Sequence, residues 1–304
     1  MSLTSHLAAA DSPVRRFFVD SFPNTGQLVR DAAPALRNGL KTAPLAAAPD
    51  VNPGRAGTAV DYLVRFALAP RPCPDTSPAR LGAGMLGRQL SLSAMAAVEE
   101  ALRFVTEVGP SSTRASDDQW EDVTRISLLL ATYEAVYRSG LPPAAFAELT
   151  SPPGGWREWA ALVCVDVEVE DVAMLGWAAA EDHSNLRGRP LTCSPTFAQS
   201  HALGEADADL ITDDGLLIDL KSTSTTRTCS NTDLWQLCGY ALADTDDRFS
   251  IAAVGLFTLR WRTEVVWSLA QLLDALAGRS VDLPKMRQAF AHLLDEERER
   301  GRGC

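Results

Sequence analysis

Apolar residues recur every three to four positions in three long segments of the first half of the chain, at 56–69, 91–108 and 117–140. This period puts them on one face of an α-helix, where they can be buried against a core. The third segment ends at Gly140, and glycine is common just beyond a helix C-terminus. We therefore predict a helical first half, preceded over residues 1–55 by a short helix and a loose connection rich in proline and alanine.

The period changes from helix to strand after Pro190. The stretches CSPTFAQSHAL, EADADLIT and LLIDLKST predict three consecutive strands. Asp213-Asp214-Gly215 lies between the second and the third, and such a sequence favours a tight hairpin turn. These strands should therefore begin an antiparallel sheet.

A helix is predicted next in NTDLWQLCGYALAD, with Asn231 or Thr232 as its N-cap. Two further strands follow in FSIAAVGLFTLRW and TEVVWSL, joined by a turn centred on Arg262. Helices over 268–300 close the chain. The order of elements, helices first and then β-β-β-α-β-β, predicts an α/β (α+β mixed) fold with a central mixed sheet flanked by helices.

Composition narrows the class of protein. The chain has 304 residues, 46% of them hydrophobic, and a formal net charge of −11, which does not forbid a locally basic groove for nucleic acid. None of its six cysteines lies in a CxxC pair, so we expect no zinc and no iron–sulfur cluster. The N-terminus lacks a secretory pattern and the apolar runs are short, so we expect a cytoplasmic protein without a membrane segment.

The predicted hairpin gathers acids and one lysine. Side chains alternate faces along a strand, so Asp207 and Asp209 share a face, as do Asp219 and Lys221. Simple pairing across the turn would set Asp219 opposite Asp209, and Lys221 opposite Asp207. Converging carboxylates repel each other unless a cation lies between them, and Mg²⁺ or Mn²⁺ suits such oxygen ligands. The carbonyl oxygen of Leu220 is a further candidate ligand.

A metal ion in this position would clamp a phosphate and lower the pKa of a bound water. Lys221 would then hold that water or stabilise charge on the phosphoryl oxygens. The alternative is a solvent-facing hairpin edge, where charged residues prevent aggregation. That alternative explains Asp213 and Asp214 better than Asp219 and Lys221, because apolar residues flank the latter pair.

Neighbouring residues add candidates for substrate contact. Gln236 and Tyr240 are one helical turn apart and share a face. Ser222 and Arg227 lie in the polar stretch STSTTRT, where they are suited to phosphate contacts. An ordinary polar loop explains that stretch equally well.

The residues in this region resemble the signature of the PD-(D/E)xK nuclease superfamily, RecB-like branch. Asp219-Leu220-Lys221 is similar to its (D/E)xK element, and Gly204-Glu205-Ala206-Asp207 is similar to its GxxD. Gln236 and Tyr240 match a QxxxY motif, and Gly57-Thr58-Ala59-Val60-Asp61 resembles GTxxH with an aspartate in place of histidine. The ordered set covers roughly residues 56–267.

The resemblance implies specific roles. Asp207 and Asp219 would hold the metal with the Leu220 carbonyl, and Asp209 and Asp61 are additional candidates. Lys221 and Gln236 would complete the catalytic set, with Tyr240, Ser222 and Arg227 near the substrate. The GxxD match favours Asp207 as the first acid, whereas the hairpin register favours Asp209, and the choice stays open.

The fold implied by the resemblance is a restriction-endonuclease-like core spanning 56–304, with a helical insertion at about 80–150 and C-terminal helices over 268–300. The expected activity is Mg²⁺- or Mn²⁺-dependent hydrolysis of DNA, including single strands or DNA ends, in repair, recombination or defence against foreign DNA. A different class also fits: a non-catalytic module that binds nucleic acid or a protein, the latter through the helical insertion.

Overall fold

The computed structural model describes residues 2–38, 45–47, 51–69, 78–108, 116–222 and 229–302. Within these ranges the chain is a mixed α/β protein with thirteen α-helices and one five-stranded sheet. It divides into two compact units. Unit 1 comprises Met1–Pro44, Leu191–Lys221 and Thr225–Cys304, and unit 2 comprises Leu45–Pro190 with Ser222–Ser224. The domain boundaries expected from the sequence remain a prediction.

The sheet belongs to unit 1, and its strands lie side by side in chain order. They are β1 (Leu191–Cys193), β2 (Leu210–Thr212), β3 (Leu216–Lys221), β4 (Ala253–Thr258) and β5 (Thr263–Ser268). Strands β3 and β4 are parallel, and the other neighbouring pairs are antiparallel. A parallel pair needs a crossover connection, which here contains helix α11 (Asn231–Ala243).

In its described residues, unit 1 contains five further α-helices. These are α1 (Leu3–Ala8), α2 (Pro13–Ser21), α3 (Thr25–Asn38), α12 (Leu269–Ala277) and α13 (Leu283–Arg302). The ring of Phe18 on α2 lies 6.4 Å from Trp235 on α11 and 5.5 Å from Phe290 on α13. Trp235 also donates its indole N–H to Thr25 Oγ1 at 3.1 Å. The helix that lies beside β3 is therefore fixed from several sides.

Unit 2 is helical. Its elements are α4 (Pro53–Leu68), α5 (Pro78–Gly84), α6 (Ser91–Val108), α7 (Asp117–Ser139), α8 (Ala144–Ala147), α9 (Trp156–Ala161) and α10 (Asp166–Asp182). Helix α7 begins with a Ser116–Gln119 capping box and ends at Gly140 in the left-handed conformation. Helices α5 and α7 pack very closely, because a Cβ at Gly82 would lie 1.8 Å from the Tyr133 carbonyl oxygen.

The predicted strands around the first hairpin are partly wrong. The turn at Asp213-Asp214-Gly215 is confirmed, but most of the stretches 193–203 and 205–212 are not strands. Residues Ser200–Leu203 form a 3₁₀ turn, and the Ser200 hydroxyl donates to the Ala206 carbonyl at 2.5 Å. The paired register between β2 and β3 ends at Leu210–Ile218.

Other predicted elements are confirmed or corrected in detail. The turn at Arg262 between β4 and β5 is confirmed, with Arg262 at φ 50°. Helix α11 is capped by Ser230 rather than by Asn231 or Thr232. The expected single helix of residues 1–55 is three helices, followed by the start of α4 at Pro53. In the part of the chain that the structure describes, no helix combines the length and apolar character needed to cross a membrane.

Candidate active site

Asp219 and Lys221 lie at the C-terminal end of β3, where alternation places them on the same face. Lys221 Nζ is 2.8 Å from Asp219 Oδ2. It also donates to Gln236 Oε1 at 3.0 Å, across to helix α11. The sequence predicted that Asp219, Lys221 and Gln236 belong to one site, and in the structure Lys221 contacts both of the others.

The ammonium of Lys221 has a third neighbour, Asp233 of α11, whose Oδ1 lies 3.7 Å away. About 23% of the lysine side chain remains exposed. Burial opposes the charged form, but the carboxylates of Asp219 and Asp233 outweigh it and raise the pKa of Lys221 above its ordinary value. Lys221 is therefore a fixed positive charge at neutral pH.

Asp219 is almost completely buried, at 3% exposure. Its Oδ2 lies 2.8 Å from Lys221 Nζ, so the two side chains form a buried ion pair. Burial raises the pKa of Asp219; the charge of Lys221 opposes the shift and that of Asp209 adds to it. A buried carboxylate is costly unless a cation or donor reaches it, and Lys221 supplies one such cation here.

The two candidate first acids lie in different settings, and both are half-buried. Asp209 Oδ2 accepts the backbone N–H of Leu220 at 2.6 Å, so its carboxylate lies against β3 beside Asp219. Asp207 forms an isolated antiparallel bridge with Thr196. The β2–β3 pairs have the predicted register, but they end at Leu210–Ile218, so Asp219 and Lys221 are not paired with Asp209 and Asp207. The Asp209 side chain bonds to Leu220 instead.

Gln236 connects Lys221 to a buried tyrosine. Its amide Nε2 donates to the Tyr240 hydroxyl at 2.9 Å, while its Oε1 accepts from Lys221. Tyr240 is 6% exposed, and its ring stacks on Phe197 at 5.7 Å. Burial raises the pKa of Tyr240, and the charges of Asp219, Asp209 and Asp207 add to this shift. Tyr240 is thus a neutral hydrogen-bond partner of Gln236, and all three acids raise its pKa.

Asp233 was not among the site residues predicted from the sequence. Its Oδ2 accepts from the Ser230 backbone N–H at 2.7 Å and from the Ser230 hydroxyl at 2.8 Å, which completes the capping box of α11. The signal was present as Ser230-Asn231-Thr232-Asp233, a serine followed three residues later by an acid. Because the N-cap was predicted at Asn231 or Thr232, the pairing of Ser230 with Asp233 was not recognised.

The identity of the basic residue at 221 is informative. Of the 28 basic residues in the chain, only Lys41, Lys221 and Lys285 are lysines. Lysine is a compact point charge with rotatable donors, whereas arginine is a wide planar fork. Most basic residues of this chain are arginine, but the more compact lysine occupies the position between Asp219 and Gln236.

The structure places the remaining candidates as follows. Asp61 lies on α4 in unit 2, where its carboxylate forms an ion pair with Arg65. Ser222 also belongs to unit 2, and a Cβ at Gly57 would lie 3.0 Å from its Oγ. Leu220 lies between Asp219 and Lys221 on β3. Arg227 is outside the described residues.

Among the described residues, no three His, Cys, Asp or Glu side chains are grouped closely enough to hold a metal ion. Comparisons with protein-family models, with curated proteins and with solved structures find no match to this chain.

Proposed function

We propose that this protein is a divalent-metal-dependent nuclease that hydrolyses DNA phosphodiester bonds at the end of β3. One observation carries the proposal. The Lys221 ammonium is partly exposed and is held between the buried carboxylate of Asp219 and the side-chain oxygen of Gln236. These residues belong to the motifs that resemble RecB-like PD-(D/E)xK enzymes.

The donor set fits a hard divalent cation. Asp219 offers a buried anionic oxygen, and Asp209 brings a second carboxylate to the adjoining position on β3. Asp207 and the Leu220 carbonyl are further candidate ligands. Mg²⁺ commonly takes only one or two protein carboxylates and completes its coordination with water and phosphate oxygens. Such an ion would polarise a phosphate and lower the pKa of a bound water.

The residues of the chain itself would bind and orient the substrate. Lys221 is positively charged and partly exposed, so it can contact a phosphoryl oxygen on which negative charge develops. Gln236 fixes the direction of that ammonium, and Tyr240 fixes the amide of Gln236. Positioning of this kind matters because small displacements of catalytic groups cost large factors in rate.

The biological roles that the resemblance implies are DNA repair, recombination and defence against foreign DNA. In each of them the substrate would be duplex DNA, single strands or DNA ends. The net charge of −11 works against strong non-specific binding to DNA. Recruitment by a partner protein would compensate for that weakness.

The test is cleavage of labelled linear duplex, circular and single-stranded DNA, and of RNA, with Mg²⁺, Mn²⁺ or EDTA. Asp219→Asn and Lys221→Met should each lower the cleavage rate at least about a hundredfold. Matched controls are Asp246→Asn and Lys285→Met, which make the same changes at exposed positions. Both controls should cleave as the wild type does.

Undiminished cleavage by Asp219→Asn and Lys221→Met would overturn the mechanism. If the wild type binds DNA but cleaves no substrate with any cation, the protein is a non-catalytic nucleic-acid-binding module instead.

A further inference from the structure

A cleft of about 410 Å³ lies in unit 2 between helices α7 and α10. Its size is within the range of roughly 300–1,000 Å³ that is typical of ligand sites. Trp120 of α7 lines it together with Ala173 and Val169 of α10. Nothing in the proposed nuclease site uses this cleft, because the residues of that site on β3 and α11 belong to unit 1.

The cleft continues into an exposed aromatic and aliphatic surface. Trp120 and Trp177 meet edge to face at 6.0 Å, and Trp177 is 48% exposed. Met174, on the same face of α10, is also exposed. The indole N–H of Trp120 donates to the Ala173 carbonyl at 3.2 Å, so the ring is fixed in place. Large exposed side chains grouped in this way mark interaction sites more often than scattered ones do.

The charge of the cleft is strongly negative. Four carboxylates line it, against one guanidinium: Asp117, Glu121, Asp166, Glu170 and Arg125. Arg125 is already committed, because its NH2 group contacts Glu121 at 2.8 Å and Asp166 at 2.9 Å. The hydrogen bonds that Arg125 donates to Asp166 and Glu121 raise its pKa, so it stays charged. Asp117 and Glu170 are both exposed and add negative charge at the rim.

An indole face beside carboxylates is a receptor for a cation. A guanidinium or ammonium gains from both the π-system and the carboxylates, and arginine also stacks on aromatic rings. A nucleic acid would be repelled by the same charges. The flanking Trp177 and Met174 favour a ligand that also carries apolar side chains, which points to a polypeptide rather than a small ion.

We propose that the cleft between α7 and α10 is a docking site for an arginine-containing segment of a partner protein, with one arginine side chain seated against Trp120. Electrostatic attraction would set the rate of encounter, and the aromatic contacts would slow dissociation. The proposal stands independently of nuclease activity.

The test uses a short glycine-serine-leucine peptide with several arginines, and a twin in which citrulline replaces each arginine. Binding to the full chain is followed by fluorescence anisotropy and by the indole N–H signals of the tryptophans in NMR spectra. The arginine peptide should bind at least about tenfold more tightly than the citrulline twin and should shift the signals of Trp120 and Trp177. Its affinity should fall as salt rises, because exposed charges are screened.

Asp117→Asn combined with Glu170→Gln should weaken binding about fivefold, and Trp177→Ala should weaken it by a similar factor. The matched control combines Glu107→Gln with Glu148→Gln, which removes two exposed charges elsewhere in unit 2 and should leave binding unchanged. Thermal unfolding of each variant shows that the fold is kept.

Equal binding of the arginine and citrulline peptides, or equal weakening by the control pair, would overturn the proposal. Sedimentation measurements test whether a second copy of the chain occupies this face instead. Concentration-dependent self-association that is lost in Trp177→Ala would assign this face to a second copy of the chain, and the proposal would then be wrong.

Discussion

At the scale of single residues, the buried carboxylate of Asp219 lowers the stability of unit 1 when it is ionised. It is buried at 3% exposure, and the charge of Asp209 adds to the effect of burial on its pKa, while that of Lys221 opposes it. Because its pKa is raised on folding, its ionised form destabilises the native state at pH values above the ordinary aspartate pKa. Natural proteins keep such groups chiefly at functional sites.

We therefore expect Asp219→Asn to stabilise the protein by about 1 kcal/mol at neutral pH in EDTA, because it removes a buried negative charge at almost constant volume. Lys221 keeps Asp233 and Gln236 as neighbours in this variant. Chemical denaturation measures the change.

Adding Mn²⁺ should stabilise the wild type and should not stabilise Asp219→Asn, because ligand binding to the native state raises stability. Asp246→Asn is the control and should match the wild type in both conditions. A less stable Asp219→Asn variant, with a cation effect equal to that of the wild type, would show that Asp219 is a structural ion-pair partner only.

The identity of the first acid is a second question at this scale. The GxxD match favours Asp207, but Asp209 is the one bonded to the backbone of β3 at Leu220. We expect Asp209→Asn to lower cleavage about a hundredfold and Asp207→Asn about tenfold, since the former is adjacent to Asp219. The ratio of the two rates, measured on one DNA substrate, decides between them. If Asp207→Asn lowers the cleavage rate more than Asp209→Asn does, Asp207 is the first acid, as the GxxD motif predicts.

At the scale of elements, the candidate site depends on the turn before β3. Gly215 has φ 78°, and a Cβ there would lie 2.4 Å from the Ser250 carbonyl oxygen. Its own carbonyl accepts from Ala252 N at 2.9 Å and Ala253 N at 3.3 Å, which joins the turn to the start of β4. The turn thus sets the parallel pairing of β3 with β4, on which Asp219 and Lys221 depend.

Gly215→Ala should therefore destabilise the protein by about 3 kcal/mol, because it combines backbone strain with a clash against backbone atoms. Gly140→Ala is the matched control. It has φ 71° with no atom within 4 Å of the added methyl, and should cost only about 1 kcal/mol. Urea unfolding of both variants gives the comparison. Equal losses of stability in the two variants would mean that the backbone near Ser250 moves to accommodate the added methyl group.

Turns specified by their own residues were predicted from the sequence, whereas side-chain bonds to the backbone that redirect or cap a segment were not. The turns at Asp213-Asp214-Gly215 and Arg262 are specified by their own residues and are confirmed. The stretch before β2 alternates like a strand, but the Ser200 hydroxyl bond to Ala206 redirects it. In the site, alternation predicted the shared face of Asp219 and Lys221. Asp233 was missed although its capping signal is local, because the N-cap was predicted at Asn231 or Thr232 instead of Ser230.

At the scale of the whole molecule, the two candidate sites are built from different units. The carboxylates and Lys221 of the proposed nuclease site come from β3, α11 and the segment before β2, all in unit 1. The acidic cleft comes from α7 and α10, in unit 2. A ligand of one site makes its contacts within one unit, so its stabilising effect should be greatest there.

Hydrogen exchange measured by mass spectrometry tests this separation on the full chain. Mn²⁺ should slow exchange in β3 and α11, whereas the arginine peptide should slow it in α7 and α10. Asp219→Asn should abolish the first effect and keep the second, whereas Asp117→Asn with Glu170→Gln should weaken the second and keep the first. Protection of α7 and α10 by Mn²⁺ as strong as that of β3 would show that the cation binds elsewhere or that the units open together. That result would contradict the assignment of the metal to β3 alone, because a local site protects first the backbone that it contacts.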